Sequence, residues 1–173
     1  MIRDATYTRT DLPRDLEIQV LAFMRTEWGD ALFSGDDRYR DRLWADPGAI
    51  HFVRTAGNLL VSHVELLPIE APGRGGAVLH IAGVAAVLTY PPFRHEGHAS
   101  HLMRKVADYI ASSAADIGML FTAVDLESFY ASLGWSRLDA TRILVADRTP
   151  DDVVMVLGDS TMLPDVVRLQ RQW

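Results

Sequence analysis

Apolar residues recur along the chain with two different spacings. Between residues 15 and 28, Leu16, Val20, Phe23 and Met24 fall on one helical face. This spacing predicts a first helix, with Asp11 or Asp15 as a reasonable cap before it. A stronger stripe in the middle of the chain comprises Leu102, Met103, Val106, Ala107, Ile110, Ala111 and Ala114. It predicts a long amphipathic helix that is ended by Gly118.

Runs rich in Val, Ile and Leu predict strands around these helices. The segments 51–55 and 59–67 flank Ala56-Gly57-Asn58, a sequence typical of a hairpin turn, and a loop is expected at 68–76. Further strands are expected at 119–124, 143–146 and 153–157, and short helices at 38–44 and 128–133. This order of elements predicts an α/β (α+β) fold in which helices flank a mixed sheet.

The run 77–89 is the best candidate for the central strand. Its only ionisable residue is His80, so we expect it to be buried on both faces. It is long for one regular strand, and Gly83 is the obvious place for a kink or bulge.

Composition narrows the class of protein. The chain has 173 residues and a formal net charge of −6, and it lacks cysteine. The length predicts a single domain over residues 1–173. An acidic chain without a basic run speaks against nucleic acid or an anionic membrane as a partner, and weakly favours a cationic substrate. Without a signal-like or bilayer-length apolar segment, we expect a soluble, cytoplasmic protein.

The absence of cysteine also restricts the chemistry. Disulfides and thiolate zinc sites are excluded, and so is a mechanism that passes a group through an enzyme thiol. Any group transfer therefore uses another nucleophile or goes directly from donor to acceptor.

The loop Arg94-His95-Glu96-Gly97-His98-Ala99 carries the strongest local signal for a ligand. It joins the buried strand to the amphipathic helix, so backbone N–H groups and the positive end of the helix dipole converge there, as a phosphate requires. No Gly-Lys-Ser/Thr follows, and one glycine does not make a dinucleotide fingerprint. A glycine turn before a helix is also common as plain structure.

Two segments resemble motifs of the GCN5-related N-acetyltransferase (GNAT) family. The first is Val87-Leu88-Thr89-Tyr90-Pro91-Pro92-Phe93-Arg94, continuing through Ala99, and the second is Phe129-Tyr130-Ala131-Ser132-Leu133-Gly134-Trp135. The resemblance covers about residues 77–137. It implies a mostly antiparallel central sheet of six to seven strands flanked by about four helices, and direct transfer of an acetyl group from acetyl-CoA to an amine, without a metal.

The resemblance also assigns roles to individual residues. Tyr130 matches the general acid that donates toward the coenzyme sulfur, although the same segment could simply be the packing face of a short helix. The resemblance places the pantetheine arm beside Val87, Leu88 and Thr89, and the pyrophosphate on the loop and first helical turn, which comprise Arg94, His95, Glu96, Gly97, His98, Ala99 and Ser100.

The general base is the main departure from the family pattern. Many relatives carry a glutamate on the central strand where this chain has Ala85. His80 is a tentative base, but it reaches the face of Ala85 only if a bulge near Gly83 shifts the strand's phase. The alternatives are solvent and four side chains on neighbouring segments, namely Asp125, Glu127, His63 and Glu65.

Glu96 is a second departure, because a carboxylate beside a pyrophosphate repels it. Protonation of His95 and His98 would offset this charge, so coenzyme affinity is expected to rise modestly toward pH 6. Three features are faintly similar to aminoglycoside 2'-N-acetyltransferases, namely the layout around 130–135, the segment 148–152 and Trp173. The resemblance implies a polycationic sugar as one acceptor class, and the net charge of −6 is compatible with it.

The sequence is compatible with three hypotheses about function. The leading one is an acetyl-CoA-dependent N-acetyltransferase acting on a small molecule or peptide. The second is a non-catalytic acyl-CoA-binding sensor or regulatory module of the same fold, which Ala85 favours. The third keeps the catalyst but uses a longer acyl donor. A homodimer is plausible under each reading.

Overall fold

The computed structural model describes residues 1–29, 46–145, 151–170 and 172–173. Within these ranges its helices are α1 (Arg14–Glu27), α2 (His98–Ser112) and α3 (Glu127–Ala131). The strands are β1 (Ile2–Thr8), β2 (Ile50–Ala56), β3 (Leu59–Pro72), β4 (Val78–Thr89), β5 (Ile117–Ala123), β6 (Ser136–Leu138), β7 (Ile143–Val145), β8 (Asp152–Leu157) and β9 (Val167–Leu169). The short helix expected at 38–44 lies outside the described residues.

The strands form two sheets. Seven of them hydrogen-bond in the order β1-β2-β3-β4-β5-β8-β6, and β7 pairs with β9 separately. In the large sheet, β4 and β5 are parallel, whereas β1 with β2, β2 with β3, β5 with β8 and β6 with β8 are antiparallel. The structure therefore confirms the predicted mixed α/β fold with a mostly antiparallel sheet. None of the helices in the described ranges is long and apolar enough to cross a membrane.

The described residues divide into two compact units. The first comprises Met1–Leu67 and Ala86–Val106, and the second comprises Pro68–Ala85 and Ala107–Trp173. The single domain expected from the length of the chain stays a prediction.

In the first unit, α1 packs its apolar face on the sheet. Leu16, Val20 and Met24 are buried in one cluster with Val53 of β2 and Leu88 of β4. The helix begins after Pro13, which makes no side-chain cap. The predicted aspartate caps were therefore wrong: Asp15 lies in the first turn, where its charge complements the helix dipole, and Asp11 accepts a hydrogen bond from Thr8 Oγ1 at 2.6 Å.

Strand β3 runs further than the sequence predicted. Residues 68–72 were expected in a loop but extend β3 to Pro72. Pro68 lies beyond Leu66, the last residue of β3 that pairs with β2, so its missing N–H does not interrupt that ladder.

In the second unit, two glycines allow close packing. Gly118 lies inside β5 rather than at the end of α2, which stops at Ser112. A Cβ added to Gly118 would lie 3.0 Å from Ile110 Cδ1 and 3.1 Å from Trp135 Cη2. On β4, a Cβ added to Gly83 would lie 2.8 Å from Cε2 of Trp173. Both glycines thus make room for large neighbours.

Candidate functional site

Ala86 interrupts the regular course of β4. Its φ of 46° lies in the left-handed region, which costs a non-glycine residue about 1–2 kcal/mol. Before it, Leu79 and Ile81 are buried while His80 is exposed; after it, Leu88 is buried and Val87 only partly so. Buried positions thus change from odd to even numbers along the strand. The kink predicted for β4 exists, but the prediction of Gly83 as its site was wrong.

Strand β3 holds the end of β4 through both backbone and side chain. Ser62 Oγ donates to the Leu88 carbonyl at 2.8 Å and lies 3.0 Å from Thr89 Oγ1. The Tyr90 N–H donates to the Val61 carbonyl at 2.9 Å. These bonds fix the positions of Leu88 and Thr89, two of the residues predicted to lie beside a coenzyme.

The loop after β4 carries two left-handed residues and leads directly into α2. His95 has a φ of 65° and Gly97 a φ of 78°. The first helical bond runs from the His101 N–H to the Gly97 carbonyl at 3.0 Å. The N–H groups of His98, Ala99 and Ser100 have no intrahelical acceptor, because they belong to the first turn. This end of α2 therefore offers several backbone donors and the positive end of a dipole.

Arg94 braces this loop. Its Nε donates to the Thr89 carbonyl at 3.1 Å, and its guanidinium pairs with Glu27 at the end of α1. The sequence predicted Arg94 as a coenzyme contact, whereas these bonds direct it to its own backbone and to α1. Contact with a coenzyme stays a prediction for this residue.

A line of ring contacts that the sequence did not predict also joins α1 to the loop. Phe23 stacks on Tyr90 with centroids 5.0 Å apart and planes 7° apart. Tyr90 contacts Phe93 at 6.1 Å, and Phe93 contacts the His98 ring at 6.0 Å. The aromatic residues at 90 and 93 were visible in the sequence, but their partner on α1 was not.

Within the loop, Glu96 is exposed, and its Oε2 lies 3.2 Å from Nε2 of His98. The carboxylate therefore has a partner inside the predicted phosphate cradle itself.

The start of α2 is also tied to β1. Asp4 Oδ2 lies 2.6 Å from His101 Nε2 and 3.2 Å from Lys105 Nζ, and Arg54 of β2 approaches its other oxygen at 3.5 Å. Burial alone would raise the pKa of Asp4, but the hydrogen bonds from His101 and Lys105 and the Arg54 charge hold the pKa below its usual range. The ionised carboxylate thus fixes the first turns of α2.

In the second unit, Tyr130 is a buried residue of α3. Its hydroxyl hydrogen-bonds to Thr122 of β5, and its ring packs edge-on against Phe129 at 4.9 Å. Burial raises the pKa of Tyr130 to about 12, although the bond to Thr122 acts in the opposite direction. Tyr130 therefore keeps its proton at any physiological pH. A packing role and a donor role are both compatible with this setting.

Comparison with known proteins identifies the family. The model of the acetyltransferase (GNAT) domain family matches residues 2–138 of the chain. The chain belongs to the GNAT family. No curated protein sequence matches it.

Solved structures share the GNAT fold at low sequence identity. ElaA of Escherichia coli is 15% identical with a TM-score of 0.67, and 91% of this chain covers 100% of it. An acyl-CoA N-acyltransferase from Pseudomonas aeruginosa is 16% identical with a TM-score of 0.67 and the same coverage. A GCN5-related N-acetyltransferase from Ralstonia eutropha is 20% identical with a TM-score of 0.64, covering 87% of this chain and 98% of that one. At these identities the likeness shows the fold alone.

His80 does not replace the glutamate that the family pattern places at the position of Ala85. The imidazole is 52% exposed and lies 3.8 Å from Glu70. The left-handed residue follows Ala85 rather than preceding it, so the odd spacing leaves His80 and Ala85 on opposite faces. The condition under which His80 would reach the Ala85 face is not met, and its role as a base stays a prediction without geometric support.

The other candidate bases differ in their settings. Asp125 is exposed, and Glu127 pairs with Arg137 at 2.9 Å. His63 and Glu65 are fully buried on β3. Because His63 faces Val53 across the β2–β3 pair, and Val53 belongs to the α1 cluster, both side chains lie on the face that α1 covers. The sequence predicted a common face for them but not its direction.

Proposed function

We propose that this GNAT protein is an acetyl-CoA-dependent N-acetyltransferase that transfers an acetyl group directly to an amine of a small molecule or peptide. The observation that supports the proposal is the pair of left-handed residues, His95 and Gly97, just before the start of α2. It counts because the chain belongs to the GNAT family. That geometry turns successive backbone N–H groups toward one point, where a pyrophosphate finds donors without any lysine.

In this proposal the coenzyme occupies one continuous stretch of the first unit. The backbone amides from His95 to Ser100 bind the pyrophosphate, and the pantetheine arm runs along Val87–Thr89. Ser62 and Arg94 support it indirectly, since both hold carbonyls of that stretch. The strand end and the loop thus act as a preformed surface, which lowers the entropy cost of binding.

Transfer requires a neutral amine, stabilisation of the tetrahedral oxyanion and help for the departing thiolate. With no cysteine in the chain, the acetyl group has no thiol on the enzyme to rest on and passes directly to the amine. Deprotonation of the amine by solvent fits the alanine at position 85.

Tyr130 is the proposed donor to the thiolate. With a pKa of about 12, it lies about 3.5 pKa units above a thiol, so complete proton transfer would cost about 5 kcal/mol. A hydrogen bond from Tyr130 that strengthens as charge develops on sulfur carries no such cost. We therefore propose stabilisation by a hydrogen bond rather than full donation.

Gly97 offers a test of the coenzyme site with a matched control. Gly97 and Gly57 both have positive φ, at 78° and 62°, and both have open space where a Cβ would stand. Changing either to alanine introduces similar backbone strain, but only Gly97 lies in the proposed cradle. Calorimetry should show that Gly97→Ala weakens coenzyme A binding several-fold and Gly57→Ala does not. Equal affinities in the two variants, or no binding by the unaltered protein, would remove the proposed site.

The second candidate function is a module that binds acyl-CoA without catalysing transfer. It is favoured by Ala85, because the position where many relatives carry the glutamate base has no carboxylate here. One measurement distinguishes the two functions: the release of free thiol from acetyl-CoA in the presence of a panel of amines. Amine-dependent release supports the enzyme. Tight coenzyme binding with no release for any amine favours the module.

A further inference from the structure

Two fully buried histidines form a chain of hydrogen bonds that ends at Ala86, the left-handed residue of β4. His63 Nδ1 lies 2.9 Å from the Ala86 carbonyl oxygen, and His63 Nε2 lies 3.0 Å from His51 Nδ1. Both side chains are 0% exposed. The remaining nitrogen, His51 Nε2, has no hydrogen-bond partner among the described residues.

The carbonyl determines where each proton lies. A carbonyl only accepts, so His63 Nδ1 must carry a hydrogen and donate it to Ala86. In a neutral ring Nε2 of His63 is then an acceptor, so His51 Nδ1 donates to it and His51 Nε2 carries no hydrogen. Burial is the main cause that lowers the pKa of His63 to about 3 and that of His51 to about 4, so both rings are neutral near pH 7.

Ala86 needs such a partner. A left-handed alanine is strained, and a buried carbonyl without a donor would add to the cost. If Ala86 relaxed to extended backbone, the alternation along β4 would shift by one residue. Val87, Leu88 and Thr89 would then exchange faces.

We propose that His63, oriented by His51, is a positioning residue that holds Ala86 in its left-handed conformation and thereby sets which face Val87, Leu88 and Thr89 present to the coenzyme. The consequence for the coenzyme rests on the function proposed above. The hydrogen bond and its effect on Ala86 do not, and they can be tested without any ligand.

The first test reads the protons directly. Nitrogen-15 NMR of the histidine rings at pH 7 should show both His51 and His63 neutral and protonated at Nδ1. The Cα and Cβ shifts of Ala86 should have left-handed values. A His63 ring protonated at Nε2 alone cannot donate to Ala86 and would overturn the proposal, whatever the protein binds.

The second test uses three variants at buried positions. His63→Asn keeps a donor at nearly the Nδ1 position, whereas His63→Leu fills the space without one. Val53→Ala, the cross-strand neighbour of His63, weakens the same core and leaves the hydrogen bond intact. It controls for loss of stability alone.

Coenzyme A affinity should fall about tenfold in His63→Leu, as the loss of one buried hydrogen bond implies, and stay within about threefold of the original in His63→Asn and Val53→Ala. The Ala86 shifts should leave the left-handed range only in His63→Leu. Equal affinity in His63→Leu and Val53→Ala would overturn the positioning role while the proposed function stands. If the unaltered protein binds no coenzyme A, the proposed function fails, and the Ala86 shifts still decide whether His63 holds the kink.

Discussion

Trp173 lies against β4 at Gly83, so close that no side chain fits between them. Its Nε1 donates to the Val84 carbonyl at 3.2 Å, and its ring meets Phe121 of β5 edge-on at 5.0 Å. A Cβ on Gly83 would come within 2.8 Å of the indole and 3.1 Å of Ile69 Cγ1. The glycine that looked like a kink is instead a site of close packing.

Gly83→Ala should therefore lower the free energy of unfolding by about 2 kcal/mol, the usual cost of overpacking a core. In a Trp173→Ala background the same substitution should cost much less, because the two atoms nearest to the added Cβ belong to the indole of Trp173. Urea denaturation of the four proteins in this double-mutant cycle measures the coupling. A cost of Gly83→Ala that is the same in both backgrounds would contradict the packing account.

Tyr130→Phe should reduce kcat by about tenfold to a hundredfold and leave the KM for acetyl-CoA nearly unchanged, because the hydroxyl helps only when charge develops on sulfur. Steady-state kinetics with any accepted amine checks this. Tyr109→Phe, on the exposed side of α2, is the matched control and should retain full activity. Unaltered kcat in Tyr130→Phe would leave Tyr130 with a packing role only.

The buried histidines should make stability depend on pH. Burial, aided by the Arg9 charge, lowers the pKa of His51 to about 4, although the Glu17 charge acts in the opposite direction. Burial, aided by His51, lowers the pKa of His63 to about 3, although the hydrogen bond to Ala86 acts in the opposite direction. Between about pH 4 and 6.5 the unfolded chain therefore binds up to two more protons than the folded one. Stability should fall as pH decreases through this window, by up to about 3 kcal/mol per pH unit from the pair.

Urea denaturation at pH 5, 6 and 7 measures that slope. His63→Asn removes one of the two titrating rings, so its slope should be about half as steep. Contributions from carboxylates remote from this cluster are common to both proteins and cancel in the comparison. Glu65 is buried on the same face of β3 and faces His51 across the β2–β3 pair, so the comparison is repeated in a Glu65→Gln background. Equal slopes would show that His63 is not neutral in the folded state.

Glu96→Gln should bind coenzyme A a few-fold more tightly than the original protein. The Glu96 carboxylate lies in the loop proposed to bind the pyrophosphate and repels it, whereas a neutral amide does not. Calorimetry at low and high salt measures the difference, which should become smaller as salt screens the repulsion. Equal affinities of the two proteins at low salt would contradict this account. The rise in affinity toward pH 6 expected from the sequence stays a prediction.

The sequence predicted the parts of the fold that rest on periodicity. The stripe through Leu102 and Val106 located α2, and the apolar run 77–89 located β4, because burial imposes these patterns directly on the residues. Helix ends were less predictable. Gly118 looked like a stop signal, but its missing Cβ serves the contact with Trp135, which is a tertiary requirement.

The irregular residue of β4 could not have been found from sequence. Local propensity favours glycine for a left-handed conformation, and Gly83 was available. The conformation occurs at Ala86 instead, where His63 reaches across from β3 to bond the carbonyl. The loop 94–99 was readable because its chemistry is local, whereas the links of Arg94 to Glu27 and of His101 to Asp4 join distant segments.

The bond between Asp4 and His101 also has a kinetic consequence, since it joins residues 97 positions apart in the chain. Contacts between residues so far apart raise the contact order of the first unit, and a higher contact order slows folding. The start of α2 therefore acquires its support from β1 only when two distant parts of the chain have met, at a cost in folding rate that a local contact would not carry.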